Sequence, residues 1–113
     1  DDPAIIESLA HLGALQVGLG NFQSADERFA QAVQSAQRRF GENSVETARY
    51  LDSYASNLDD MGRRTQALAL HRRVLAIRER VLGMNDAEVA ATLASLGVHL
   101  SGSGHLEEAA RML

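Results

Sequence analysis

Gly20, Gly62 and Gly104 stand 42 residues apart, and their surroundings repeat with them. Leu9, Leu51 and Leu93 share the interval, as do Leu12, Tyr54 and Leu96, and Ala25, Ala67 and Ala109. The spacing never slips. Self-similarity at such a period marks a stack of equal units, each burying its apolar face against the next. Residues 1–113 therefore read as one repeat domain: repeat 1 over 2–43, repeat 2 over 44–85 and a partial repeat 3 over 86–113. The chain opens at Asp1 without Met and stops inside its third copy, so a piece of a longer protein is expected.

Each copy reads as a helix hairpin. Asp2-Pro3, Ser44 and Asp86 offer a side-chain oxygen at a helix start, and Glu46 and Glu88 add an acid to the first turn. Apolar residues then step at helical spacing: Ile5, Leu9 and Leu12 (with Gln16), then Ala48, Leu51, Tyr54 and Leu58, then Val89, Leu93, Leu96 and Leu100. A turn glycine follows, and a second helix carries Ala25, Phe29, Val33 and Ala36, or Ala67, Leu70, Val74 and Ile77. Gly41 and Gly83 end those helices. Helices are predicted over 3–18, 22–40, 45–61, 64–82, 87–102 and 106–113, an all-α architecture. Gly13, Ala55 and Gly97 recur at one point of the first helix. A glycine there costs about 1 kcal/mol relative to alanine, so close approach of the paired helices is the expected compensation.

Composition excludes several function classes. Cysteine is absent, which rules out disulfides and thiolate metal sites and suits a cytoplasmic location. A net charge of −4 argues against general binding to nucleic-acid phosphates, although all eleven basic residues are arginine. No apolar run approaches the ~20 residues of a membrane span. His11, His71, His99 and His105 make no ligand pair at i and i+4, so no metal or other cofactor is expected, and His71 is read as packing at a core edge. Asp59 and Asp60 are adjacent on a helix and point about 100° apart, a poor acid–base couple. Ser101-Gly102-Ser103-Gly104 coincides with a repeat turn and lacks the strand and Lys-Ser/Thr of a phosphate loop. No nucleophile–base–orienter set is visible, and the expectation is that this segment is not an enzyme.

The spacing Leu9, Leu12-Gly13, Gln16, Gly20, Ala25, Phe29, Ala32 and its counterpart Leu51, Tyr54-Ala55, Leu58, Gly62, Ala67, His71, Val74 resemble the tetratricopeptide repeat. The long period, with Val89-Ala90-Ala91-Thr92-Leu93-Ala94-Ser95-Leu96-Gly97 and Ile77-Arg78-Glu79-Arg80-Val81-Leu82-Gly83, is similar to the variant typical of kinesin light chains. The resemblance implies a right-handed α-α superhelix of stacked hairpins. It also implies a protein-interaction module whose first helices line a concave groove.

Carried onto this sequence, the resemblance places Glu7, Ala10, His11, Ala14 and Val17 in the groove from copy one. Copy two supplies Arg49, Asp52, Ser53, Ser56, Asp59 and Asp60, and copy three Ala91, Ala94, Ser95, Val98 and Ser101. Helical arithmetic supports part of this, since Arg49, Asp52, Ser53, Ser56 and Asp60 form one polar stripe. The pairs Ala10-His11, Asp52-Ser53 and Ala94-Ser95 stand where kinesin light chains commonly carry asparagines that grip peptide backbone. What remains is a small-residue groove with an acidic centre, suited to a basic or mixed apolar–basic segment of a protein partner. The alternative is a structural spacer or self-association arm within a larger bacterial signalling protein, such as a kinase or transcription regulator. Arg63, Arg64, Arg72, Arg73, Arg78 and Arg80 crowd the second helix of copy two and read as an outer solvated face. The last copy is expected to leave Val89, Leu93, Leu96 and Leu100, with Leu106 and Met112, exposed as a homodimer face.

Overall fold

The computed structural model describes residues 2–102, which form five helices in chain order. They are α1 (Pro3–Gly18), α2 (Phe22–Phe40), α3 (Val45–Asp60), α4 (Arg64–Leu82) and α5 (Ala87–Gly102). Each agrees with its predicted range to within a residue. The expected sixth helix, with Gly104 and Ala109, lies outside the described residues, as do Leu106 and Met112.

Local chemistry fixes the ends. Asp2 accepts from the Ala4 amide at 2.8 Å ahead of Pro3, Ser44 accepts from the Thr47 amide at 3.1 Å, and Asp86 accepts from the Glu88 amide at 2.8 Å. These bonds satisfy amides that a helix start leaves open. Within the two hairpins α1–α2 and α3–α4 the turn closes through paired backbone bonds. Gly20 N–H donates to Val17 O at 2.9 Å and Asn21 N–H to Gln16 O at 2.8 Å; Gly62 to Asp59 and Arg63 to Leu58 repeat the pattern at 2.9 and 2.8 Å. This closure needs a left-handed residue, and Gly20 and Gly62 supply φ of 78° and 80°. Between hairpins, the Thr47 hydroxyl donates to the Gly41 carbonyl at 2.7 Å and ties the second hairpin to the first.

Each helix packs on its sequence neighbour, and α1 also touches α3, whereas α2 and α4 make no such approach. The first helices therefore lie on the inside of the curve. One cluster joins Ile6, Ala32, Val33, Ala36, Ala48, Tyr50, Leu51, Val74 and Ile77 across four helices. A second joins Leu75 of α4 to Val89 and Leu96 of α5. Gly13 confirms the small-residue contact: a Cβ there would meet the Phe29 ring at 2.8 to 3.0 Å. Gly97 is buried as well.

Two expectations are corrected. Ile5 and Leu12 were assigned to the buried stripe of α1, but they are 61% and 46% exposed, and Leu15 and Leu19 share that open face. The equivalents Thr47 and Val89 are fully buried because α2 packs on α3 and α4 on α5. No described helix stands in that place before α1. Conversely, Val89 and Leu96 were expected to lie exposed as part of a homodimer face, yet they are 0% and 1% exposed against α4. Among the described residues, an open apolar face lies on the first helix of the stack; the side chain of Leu100 lies outside the described residues.

Candidate groove on the inner face

Where α1 and α3 converge, two clefts share the residues between them. One, about 280 Å³, is lined by Ala14, Val17, Phe29, Asp52, Ser53, Ser56, Asn57 and Asp60. The other, about 260 Å³, is lined by Glu7, Ala10, His11, Ala14, Phe29, Arg49, Tyr50 and Ser53. Ala14, Phe29 and Ser53 belong to both, so the clefts are one groove crossing two repeats. Its floor is Phe29, reaching through from α2 where Gly13 leaves room.

The groove brings together Glu7, Ala10, His11, Ala14 and Val17 of α1 with Arg49, Asp52, Ser53, Ser56 and Asp60 of α3. It does not include every residue assigned to it. Ala94, Ser95 and Val98 are exposed on α5 and line neither cleft. Asp59 turns away toward α4, where its Oδ2 lies 3.1 Å from His71 Nε2. Sequence reasoning missed Phe29 as a lining residue because it reads as a core position, and it did not single out Tyr50 or Asn57.

The two ends differ in charge. At one, Asp60 is exposed and Asp52 half-exposed, beside the Ser53 and Ser56 hydroxyls. At the other, the Arg49 guanidinium stands 4.9 Å from the Tyr50 ring centre, and its Nη2 donates to Tyr50 Oη at 2.9 Å. That geometry combines a cation–π contact with a hydrogen bond and holds the guanidinium along the groove wall. His11 and Glu7 approach to 3.9 Å across one helical turn, both exposed.

Beneath the acidic end lies a polar cluster inside the packing. His71 is 4% exposed, its Nε2 near Asp59 and its Nδ1 3.5 Å from Asp52 Oδ1. Burial by itself would lower the imidazole's proton affinity. Hydrogen bonds and charges from Asp52 and Asp59 outweigh that, so its pKa stands above the ordinary 6.5. Arg78 approaches Asp52 Oδ2 at 3.8 Å, and its Nη1 donates to Thr92 Oγ1 of α5 at 2.8 Å. Arg78 is thus a largely enclosed bridge between three helices, its side chain 12% exposed, not part of the solvated arginine face to which it was assigned. Nearby, Asn57 is 1% exposed and donates to the Phe22 carbonyl at 3.1 Å, fastening α3 to the start of α2. Among the described residues, no group of histidines and acids has the arrangement of a metal site, and no helix is long and apolar enough to cross a membrane.

A family model described as tetratricopeptide repeat matches residues 2–80 and again 54–113. Among solved structures, BtubC (BKLC) from P. vanneervenii is similar with a TM-score of 0.91 at 23% identity, over 99% of this chain and 45% of that one. The nearly identical TPR-like repeats of a putative kinesin light chain from P. anserina give a TM-score of 0.85 at 20% identity, over 99% and 53% of the two chains. The chain thus spans about half the length of these structures. At such identities the likeness carries the fold alone. No curated protein matches the chain significantly.

Proposed function

The chain belongs to the tetratricopeptide repeat family, and from that premise we propose that its inner groove holds a segment of a protein partner, with a basic side chain at the Asp52–Asp60 end. Repeats of this family mediate protein–protein interaction and are typically non-catalytic scaffolds. The observation that carries the finer reading is the continuity of the groove: an apolar floor at Phe29 runs between two acids at one end and a fixed guanidinium at the other. An apolar strip takes side-chain area, and charge at the ends sets orientation and partner choice. We read the module as a non-catalytic, cytoplasmic one.

The test is a panel of peptides of equal length, either Leu–Arg or Leu–Glu alternating, bound to the chain at rising salt. The Leu–Arg peptide should bind more tightly and weaken as salt screens exposed charges within ~8–10 Å. Equal binding of both peptides, or binding indifferent to salt, refutes the reading. Self-association is the second reading, favoured by the open Ile5, Leu12, Leu15 and Leu19 face. Sedimentation over a wide concentration range decides it: a monomer throughout excludes it.

A further inference from the structure

Copy two is polar at several places where copy one is apolar, and four of them gather round one imidazole. Asp52, Asp59, His71 and Arg78 stand at the positions of Ala10, Val17, Phe29 and Ala36. Four such exchanges are compatible with a packed hairpin because the residues contact one another.

The geometry of the cluster asks for a particular protonation state. A neutral imidazole has one N–H and one lone pair, whereas the charged ring donates from both nitrogens. Both nitrogens of His71 face carboxylate oxygens, Asp59 at 3.1 Å and Asp52 at 3.5 Å. Only the imidazolium satisfies both. On losing a proton, the ring keeps its remaining N–H toward the nearer and more enclosed acid, Asp59, whose side chain is 19% exposed. The Nδ1 lone pair then faces the Asp52 carboxylate, which is repulsive. Asp52, with a side chain 43% exposed and lining the acidic cleft, is the group with room to move.

We propose that His71 is a proton-operated switch for the groove: the charged ring draws Asp52 back against α4, and the neutral ring releases it toward a bound cationic side chain. The proposal rests on the groove reading above for its ligand, though not for the movement itself. The groups facing the ring and its partner can be named helix by helix. From α3 they are Asp52 and Asp59; on α4 itself Arg78 approaches Asp52. From α5, Thr92 accepts from Arg78 and donates to the Glu88 carbonyl at 2.7 Å. Arg78 is therefore tethered away from the groove and limits how far Asp52 travels without replacing the imidazolium. Removing the ring's positive charge also makes the acidic end more attractive to a cation, so both effects have the same sign. By linkage, a cation that recruits Asp52 lowers the proton affinity of His71 by the same factor.

The experiment follows the full 113-residue chain by NMR between about pH 5.5 and 9, spanning imidazole titration. It carries His11→Gln, so that the exposed imidazole of the neighbouring cleft does not contribute. Without ligand, the side-chain couplings and carboxyl carbon shift of Asp52 should change at the midpoint of the His71 ring, and Asp52→Asn should lower that midpoint. Asp52 couplings that stay constant through the His71 titration overturn the switch. In a second arm, a ten-residue peptide of alternating leucine and arginine is added at both ends of the pH range. Its affinity should be up to about five-fold higher on the alkaline side, the scale of one exposed charge pair. That difference should vanish in the double variant Ala55→Gly/His71→Phe, which restores the Gly13–Phe29 pair of copy one and so preserves packing. Equal affinity at both ends while Asp52 moves refutes the regulation. A peptide that binds at neither end refutes the groove reading, and the Asp52 couplings still decide the switch.

Discussion

Replacing Gly13 with alanine sets two effects of known sign against each other. In a free helix the change gains about 1 kcal/mol in propensity. Here the new methyl would lie 2.8, 2.9 and 3.0 Å from three atoms of the Phe29 ring, where ordinary carbon contacts are about 3.5–4.0 Å. The ring must yield by more than half an ångström, and at 5% exposure it is held by its surroundings. Overpacking of this kind costs about 1–3 kcal/mol, so the net expectation for Gly13→Ala is a loss of about 1 kcal/mol. The repeat supplies the control. At the equivalent places copy two has Ala55 and His71, an extra methyl opposite a smaller ring. Gly13→Ala should therefore stop being harmful, and gain about 1 kcal/mol from propensity, once Phe29→Leu has emptied the space. Urea melts of the two single variants and the double variant, followed by far-ultraviolet circular dichroism, give the coupling directly. A coupling of at least about 1 kcal/mol is expected for residues in contact. Additive effects, or an alanine that stabilises while Phe29 is present, would show that the glycine is not there to admit the ring.

Three further outcomes can be checked on the same material. Because its folded pKa is raised above 6.5, His71 contributes stability that is fully present below that value and lost as pH rises through the folded value; urea midpoints against pH should show this fall in the native chain and not in Ala55→Gly/His71→Phe. Gly62→Ala meets no atom within 4 Å but forces a side chain onto a φ of +80°, so a melt should show a loss of about 1–2 kcal/mol from backbone strain alone. Asp60→Asn should weaken the Leu–Arg peptide by about 0.2–1 kcal/mol and flatten its salt dependence, with the melting curve unchanged, as suits an exposed carboxylate.

The elements were legible because their signals are local. Caps at Asp2, Ser44 and Asp86 and the turn glycines act within a few residues, and repetition supplied each signal more than once. The groove was legible in part, since Asp52, Ser53, Ser56 and Asp60 share a helix face that α1 and α3 present together. Two kinds of error have one origin. Ile5 and Leu12 carry the periodicity of buried residues, but burial depends on which helix comes next to them, and periodicity does not encode that. Asp59 carries the charge of a solvated residue, but its partner His71 sits on another helix at a position where the repeat wants an apolar side chain. A signal was present: Asp52, Asp59, His71 and Arg78 all depart from their copy-one equivalents together. Read one residue at a time, each had an ordinary explanation.

Packing that runs almost entirely between sequence neighbours also sets how this molecule deforms. The groove walls, α1 and α3, are second neighbours whose mutual contact is slight beside that of either with α2. Rotating one hairpin against the next thus changes the width of the groove through small shifts along the α2–α3 seam, without separating the tightly paired helices on either side. The angle between hairpins is therefore the coordinate on which the width of the groove depends. A ligand that spanned the two walls would fix the angle between the hairpins, and the Asp52–Arg78–Thr92 contacts join the groove wall to α5. Occupancy of the groove would then be felt as mechanical strain at α5.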